Sequence, residues 1–106
     1  MAGRRGRTQA MHGEYKMPGG KLVVIDLDLR DGRLDGVRLS GDFFLEPDAA
    51  LPAINATLED WAIDASDATL AAAIDAALPV GTTMYGISSE AIVVALRRAL
   101  REGAPA

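Results

Sequence analysis

Two alternating segments on either side of the Asp31-Gly32 pair most constrain the fold of this chain. In residues 22–30 the odd positions are apolar and charged residues occupy the later even positions, which is the period-two pattern of a strand with one buried face. The Asp-Gly pair tolerates the positive φ angles of a tight hairpin turn. In residues 33–40, Val37 and Leu39 continue the alternation. The sequence therefore predicts an antiparallel hairpin with one charged, solvated face and one apolar face that needs a cover.

Three segments in the second half of the chain have helical periodicity and would provide that cover. Asp48, Ser66 and Ser88 are placed as their N-caps. Residues 82–87, between the last two helices, are typical of a short edge strand or an extended connector. Strands followed by helices predict an α+β domain, in which a small antiparallel sheet (the hairpin plus a short edge strand) is covered on one face by about three helices. The apolar positions of the three helices are Leu51, Ile54, Leu58 and Trp61, then Leu70, Ile74 and Leu78, then Ile92, Val93, Leu96 and Leu100.

Composition excludes several classes of function. The chain has 106 residues, which allows one compact domain, and no Cys, which removes disulfides, thiolate metal ligands and thiol nucleophiles. The single histidine, His12, precedes the alternating segments, so neither a metal site nor a nucleophilic triad is predicted. No apolar run approaches the roughly 18 residues of a membrane-spanning helix. The basic start lacks the apolar segment of a secretory signal, and a cytoplasmic location is expected.

Charge is distributed unevenly along the chain. Residues 1–21 carry a net charge of +4, residues 22–90 carry −10 and residues 91–106 carry +2. The acidic body argues against a nucleic-acid-binding face, and three arginines near the start would give only weak, salt-sensitive attachment to a nucleic acid. Residues 1–11 have no apolar period and are predicted to be a flexible basic segment. We expect residues 12–101 to form the domain and residues 102–106 to be a flexible tail.

A first glycine-containing motif runs from His12 to Lys21. It is not a Walker phosphate loop, because Tyr15 occupies the position of the first glycine and Leu22 that of the hydroxyl residue. Two interpretations stay open. Gly19-Gly20 lets backbone N–H groups and two lysines approach an anion, or Pro18-Gly19 is a turn that simply leads into the first strand.

A second motif, Ser40-Gly41-Asp42-Phe43-Phe44, ends the hairpin. Neighbouring residues of a strand point to opposite faces, so the two phenylalanines cannot occupy the same core layer. Either one ring lies at a contact surface, or a bulge tucks both rings beneath the first helix. Asp42 either stabilises a turn or contacts a partner. Trp61 and Tyr85 fit positions in the core or at its edge better than a stacking platform.

The two motifs are expected to meet. The first leads into the opening strand of the hairpin and the second leaves its closing strand, so both should lie at the end of the sheet opposite the Asp31-Gly32 turn. Two lysines and a pair of phenylalanines would then share one surface. Such an arrangement is typical of a docking surface rather than of an autonomous active site.

Together with Glu46-Pro47 and with Ser88 at the start of the last helix, the two motifs resemble the accessory domain of lipoate-protein ligases. The resemblance covers residues 12–101; in some ligases this domain is a separate small subunit and in many it is C-terminal. It implies a fold similar to iron-sulfur scaffold proteins of the NifU and SufE type. The scaffold chemistry itself does not carry over, because the chain has no Cys.

The resemblance also implies a function. Ligases of this family use ATP and Mg2+ to convert lipoate into lipoyl-adenylate, and then transfer the acyl group to a lysine on lipoyl domains of 2-oxoacid dehydrogenases or on the glycine cleavage carrier. An accessory chain would bind none of these alone and would be inactive without its catalytic subunit. The alternative is a general protein-interaction module that docks through the Ser40–Phe44 corner. The residues expected to contact a partner or ligand are His12, Gly13, Glu14, Tyr15, Lys16, Pro18, Gly19, Gly20, Lys21, Ser40, Gly41, Asp42, Phe43 and Phe44.

Overall fold

The computed structural model describes residues 9–19 and 21–102 and has an α+β fold, as predicted. Among these residues, three strands form an antiparallel sheet in which the second strand is central, and two short strands form a separate antiparallel ribbon. The helices at residues 50–58 and 89–102 pack on one face of the sheet, and the helix at residues 67–77 packs against both of them. Within the described residues the elements are β1 (Gln9–Lys16), β2 (Leu22–Arg30), β3 (Arg33–Gly41), β4 (Phe44–Glu46), α1 (Ala50–Leu58), α2 (Asp67–Ala77), β5 (Thr83–Tyr85) and α3 (Ser89–Glu102).

The predicted hairpin is confirmed as β2 and β3, joined by Asp31 and Gly32 with φ angles of 55° and 77°. A bulge interrupts the pairing between Asp26 and Asp28, which lie opposite Arg38 and Asp35. The bulge adds one residue to β3, and this extra residue lets Leu34, Val37 and Leu39 all face the core although their spacing is uneven.

Strand β1 is the main feature that the sequence did not predict. It pairs with β2 from Gln9 opposite Leu29 to Lys16 opposite Leu22. The sheet therefore includes residues 9–11, which the sequence assigned to a flexible segment. The expectations for residues 1–8 and 103–106 lie outside the described residues. At the other end of the chain, α3 continues to Glu102, the first residue of the expected tail.

Close packing by α3 explains how β1 is held. A side chain at Gly13 would overlap the C=O of Ala95 and the backbone N of Ala99, so the helix lies directly against the strand backbone. Met11 is buried beside this contact. Arg98 of α3 also donates to the C=O of Glu14 at 3.2 Å. The strand is thus stabilised both by its own buried Met11 and by the close packing of a helix distant in sequence.

Two of the three predicted helix caps are confirmed. The N–H of Thr69 donates to Ser66 Oγ at 3.1 Å, and the N–H of Ala91 donates to Ser88 Oγ at 3.0 Å. The prediction for Asp48 is wrong, because Ala49 occupies the N-cap position of α1. The helix start is instead joined to the chain before it by the N–H of Ala50, which donates to the C=O of Pro47 at 2.9 Å.

The hydrophobic core lies between the helices and the inner face of the sheet. Helix α1 ends at Leu58, so Trp61 lies beyond the helix, half-buried against this core. Residues 83–85 form a strand, as expected, but they pair with β4 and not with the edge of the main sheet. In the described part of the chain no helix is long and apolar enough to cross a membrane. The largest fully buried side chains are Val23, Ile25, Leu27, Ile54, Leu58, Leu70, Ile74, Ile92 and Leu96.

Candidate functional site

The two glycine-containing motifs meet at one end of the sheet, as the sequence predicted. Antiparallel pairing places Gly41, at the end of β3, opposite Val23, near the start of β2. Just beyond this pair, the N–H of Asp42 donates to the C=O of Leu22 at 3.0 Å. We call this surface the open end; it consists of the described residues among 16–21, together with residues 40–44 and 85–86.

The Pro18-Gly19 segment is a turn between β1 and β2. The N–H of Met17 donates to the C=O of Lys21 at 2.7 Å and closes the connection between the two strands. The turn interpretation therefore accounts for Pro18 and Gly19, although the segment that precedes the turn is a strand. Gly20 lies outside the described residues.

Gly41 allows the second motif to approach the first. Its φ angle is 145°, a value that residues with a side chain rarely adopt, and an added Cβ would overlap the C=O of Leu22. Because the backbone can come this close, the chain turns away from β3 at Asp42. The N–H of Asp42 forms the turn, and its side chain is exposed.

The two phenylalanines point in different directions. Phe43 is half-buried and packs against the core, whereas the side chain of Phe44 is 67% exposed. The expectation that one ring lies at the surface is confirmed, and the alternative that both rings are tucked beneath the first helix is wrong. Phe44 is the first residue of β4, whose next residue, Leu45, faces inward.

Tyr85 belongs to the open end, although the sequence placed it in the core or at its edge. It lies directly opposite Phe44 in the β4–β5 ribbon and is 61% exposed. Met84, its neighbour, is half-buried against the core opposite Leu45, so alternation turns Tyr85 outward. The sequence contains the alternation of Met84 and Tyr85, but which of the two faces outward is known only once their pairing with β4 is known.

The lysines of the first motif are available for contact. Lys16 and Lys21 are exposed, and no ion pair within the described part of the chain involves either of them. The aliphatic stem of Lys21 lies against the backbone of Gly86, where an added Cβ would overlap it. Gly86 has a φ angle of 76°. The stem is therefore placed by the ribbon, while the ammonium group is left to solvent.

The sheet face opposite the helices is partly apolar, whereas the hairpin pattern predicts a charged, solvated face. Leu22 and Val24 are half-buried on this face at the open end, and their cross-strand neighbours include Lys16 and Ser40. The signal was present in the sequence, because residues 22–25 are apolar without a break. This apolar strip continues the open end onto the uncovered face.

His12 lies in β1, on the uncovered sheet face beside the apolar strip, and not in a flexible segment. Its Nδ1 is 2.6 Å from Asp26 Oδ1, and its Nε2 is 2.8 Å from Glu14 Oε2. The hydrogen bonds with Glu14 and then with Asp26 raise the pKa of His12 above the ordinary value of about 6.5. The two carboxylates bind opposite ring nitrogens and so do not converge on one metal position. No group of three or more His, Cys, Asp or Glu side chains that could hold a metal ion occurs among the described residues.

The remaining residues of the first motif have structural roles. Gly13 is covered by α3, and the guanidinium of Arg98 lies 5.1 Å from the centre of the Tyr15 ring. With His12 and Glu14 also in the middle of β1, only the later part of the motif reaches the open end. Ser40, Gly41, Asp42 and Phe44 of the second motif all lie there, and Phe43 packs beneath them.

Comparison with known proteins identifies one structural relative. A chain from a solved archaeal lipoylation system of Thermoplasma acidophilum, described as a bi-partite lipoate protein ligase and its E2 lipoyl domain, has a similar fold with a TM-score of 0.62. The two chains are 22% identical, and the match covers 85% of this chain and 94% of that chain. No family model and no curated protein matches the sequence. At this identity the similarity shows a shared fold.

Proposed function

We propose that this chain is the accessory, non-catalytic subunit of a two-part lipoate protein ligase. It would support the ATP-dependent conversion of lipoate into lipoyl-adenylate by a separate catalytic subunit. The acyl group would then pass to carrier lysines, on lipoyl domains of 2-oxoacid dehydrogenases or on the glycine cleavage carrier. The observation that carries the proposal is the fold shared with a chain of a bi-partite ligase system, over 94% of that chain.

The open end is the surface through which the chain would dock. It brings both motifs together and presents Lys16, Lys21 and Phe44 to solvent. The two lysines would face an acidic surface of the catalytic subunit or the polyphosphate of ATP, since an ammonium group binds either anion. ATP and the catalytic subunit would hold the Mg2+ ion.

Reconstitution tests the proposal. Lipoyl-adenylate formation is measured with a catalytic subunit of a two-part ligase, in the presence and absence of this chain. We expect formation only, or mainly, when both are present. Adenylate formation by this chain alone, or an equal yield from the catalytic subunit without it, would contradict the proposal.

Lys21→Ala tests the contribution of the open end in the same assay. A lysine at the rim of an interface contributes less than about 1 kcal/mol, so a larger loss of adenylate would indicate contact with ATP rather than docking alone. Arg101→Ala is the matched control, because it removes one exposed positive charge from α3. An adenylate yield unchanged by Lys21→Ala would remove the role assigned to this lysine.

The second candidate is a general protein-interaction module that uses the Ser40–Phe44 corner, and the exposed ring of Phe44 favours it. The two proposals differ in the partner. A partner with an acyl-adenylate site supports the ligase subunit, whereas stable binding to a protein without such a site supports the general module.

A further inference from the structure

Two exposed aromatic side chains are paired across the β4–β5 ribbon. Phe44 and Tyr85 lie directly opposite each other and are 67% and 61% exposed. Side chains directly opposite each other in an antiparallel pair share one face and have Cβ atoms about 5 Å apart, so the two exposed rings are neighbours on one face of the ribbon, here called the patch. The other large apolar side chains exposed in the described part of the chain, Ile63 and Val80, lie outside the ribbon.

The ribbon holds these rings from beneath. Leu45 and Met84, which are also paired with each other, point to the opposite side of the ribbon and pack against the core. A ring fixed on such a support loses little conformational entropy on binding, because Phe and Tyr have only two side-chain torsions. Tyr is moreover among the residues that most often dominate the binding energy of an interface.

A positive charge lies at the edge of the patch. The stem of Lys21 packs on Gly86, the residue that follows Tyr85, and Lys21 is exposed. A complementary surface would therefore have an apolar pocket for the two rings and a carboxylate beside it.

We propose that the Phe44–Tyr85 pair is the anchor of the interface with the catalytic subunit, and that Lys21 is part of its rim. This inference rests on the proposed function. It deepens that proposal by assigning most of the binding energy to two rings, one of which, Tyr85, belongs to neither sequence motif.

Two observations favour the catalytic subunit over a second copy of this chain. The matched chain of similar fold belongs to a two-part ligase system, and the patch is continuous with the open end where both motifs meet. A second copy, by contrast, would bring together two chains of the same net charge, −4 each. Like net charges disfavour such an association, and salt screens the effect.

The test measures binding of the full chain to the catalytic subunit by titration calorimetry. Phe44→Ala and Tyr85→Ala are each expected to weaken binding by about tenfold or more, and Lys21→Ala by about fivefold or less. Val80→Ala is the matched control, because Val80 is exposed, apolar and outside the ribbon. It should bind like the unchanged chain.

The fold of each variant is checked by circular dichroism and thermal unfolding. Tyr85→Phe and Phe44→Leu are measured in parallel, since they keep an apolar side chain of similar size and should retain most of the binding. If Phe44→Ala and Tyr85→Ala bind within about twofold of the unchanged chain, the anchor is wrong but the proposed function stands.

If the unchanged chain neither binds the catalytic subunit nor supports adenylate formation, the proposed function and the anchor both fail. Sedimentation of the isolated chain tests the second copy. If the isolated chain is a dimer and Tyr85→Ala dissociates it, the patch serves self-association and the inference is overturned.

Discussion

The N–H of Asp42 donates to the C=O of Leu22 at 3.0 Å and joins the end of one motif to the end of the other. Leu22 follows the β1–β2 turn, and Asp42 follows the last residue of β3. The hydrogen bond thus extends the β2–β3 pairing by one step, at the point where the chain turns toward Phe44. The geometry of the open end depends on this close approach of the backbones of Leu22 and Asp42.

Replacing Gly41 tests that dependence. In Gly41→Ala the new Cβ overlaps the C=O of Leu22 and the φ angle of 145° becomes strained, so we expect a loss of about 2 kcal/mol or more in the free energy of unfolding. Denaturant unfolding measures it. Gly81→Ala is the control, because Gly81 also has a positive φ angle, 83°, but open space around it. Equal losses in both variants would show that the contact with Leu22 is unimportant.

Gly86→Ala is expected to displace the side chain of Lys21 without removing it. The new Cβ overlaps the Lys21 stem, which must then leave the ribbon. We expect any Lys21-dependent binding to weaken as much as it does in Lys21→Ala. Calorimetric titration with the catalytic subunit measures the effect, again with Gly81→Ala to subtract the cost of a side chain at positive φ. Binding equal to that of Gly81→Ala would mean that the position of Lys21 is irrelevant.

Glu59 is expected to be important for stability although it lies outside both motifs. Its carboxylate accepts from the N–H of Gly36 at 2.9 Å and from the N–H of Val37 at 2.6 Å, the two residues at the bulge of β3. Glu59→Ala leaves two partly buried donors without an acceptor and should cost about 2 kcal/mol in the free energy of unfolding.

Glu59→Gln should cost less, because its amide oxygen still accepts one of the two hydrogen bonds. Glu90→Ala is the control, since Glu90 is an exposed residue in the first turn of α3. Both variants are measured by denaturant unfolding. A Glu59→Ala variant as stable as Glu90→Ala would contradict this role.

His12 is expected to make the stability of the fold depend on pH. Its pKa is raised in the folded state by hydrogen bonds with Glu14 and Asp26, so the protonated form favours folding. The contribution is fully present below the unfolded pKa of about 6.5 and is lost as the pH rises through the folded pKa. Relative to His12→Gln, the unchanged chain should therefore be more stable at about pH 6 than at about pH 9.

The measurement is the free energy of unfolding of both chains at the two pH values. The difference between the chains isolates His12 from the titration of other groups. A difference that does not change with pH would show that the exposed hydrogen bonds of His12 have no net effect.

The sequence predicted the elements whose information is local. The β2–β3 hairpin was predicted because alternation and the Asp31-Gly32 turn are both readable within a short segment. The caps at Ser66 and Ser88 were predicted for the same reason. The prediction of Asp48 as a cap is wrong because α1 starts at Ala50. Ala49, one residue after Asp48, therefore occupies the N-cap position.

The meeting of the two motifs also followed from the sequence, since antiparallel pairing dictates which strand ends are neighbours. Strand β1 does not follow from the sequence in this way. Gly13 interrupts the apolar alternation between Met11 and Tyr15, and Ala95 and Ala99 of α3 cover the strand backbone at that point. No residue close to β1 in the sequence indicates that α3 packs against this strand.

Local periodicity, turn residues and motif spacing thus determined the α+β class, the hairpin and the position of the open end. Only the tertiary structure decided that Phe44 pairs with Tyr85 and that Gly86 supports Lys21. These contacts join residues separated by two helices, and they form because the core fixes where the ribbon lies. A pairing of this kind depends on long-range packing, which no short segment of the sequence specifies.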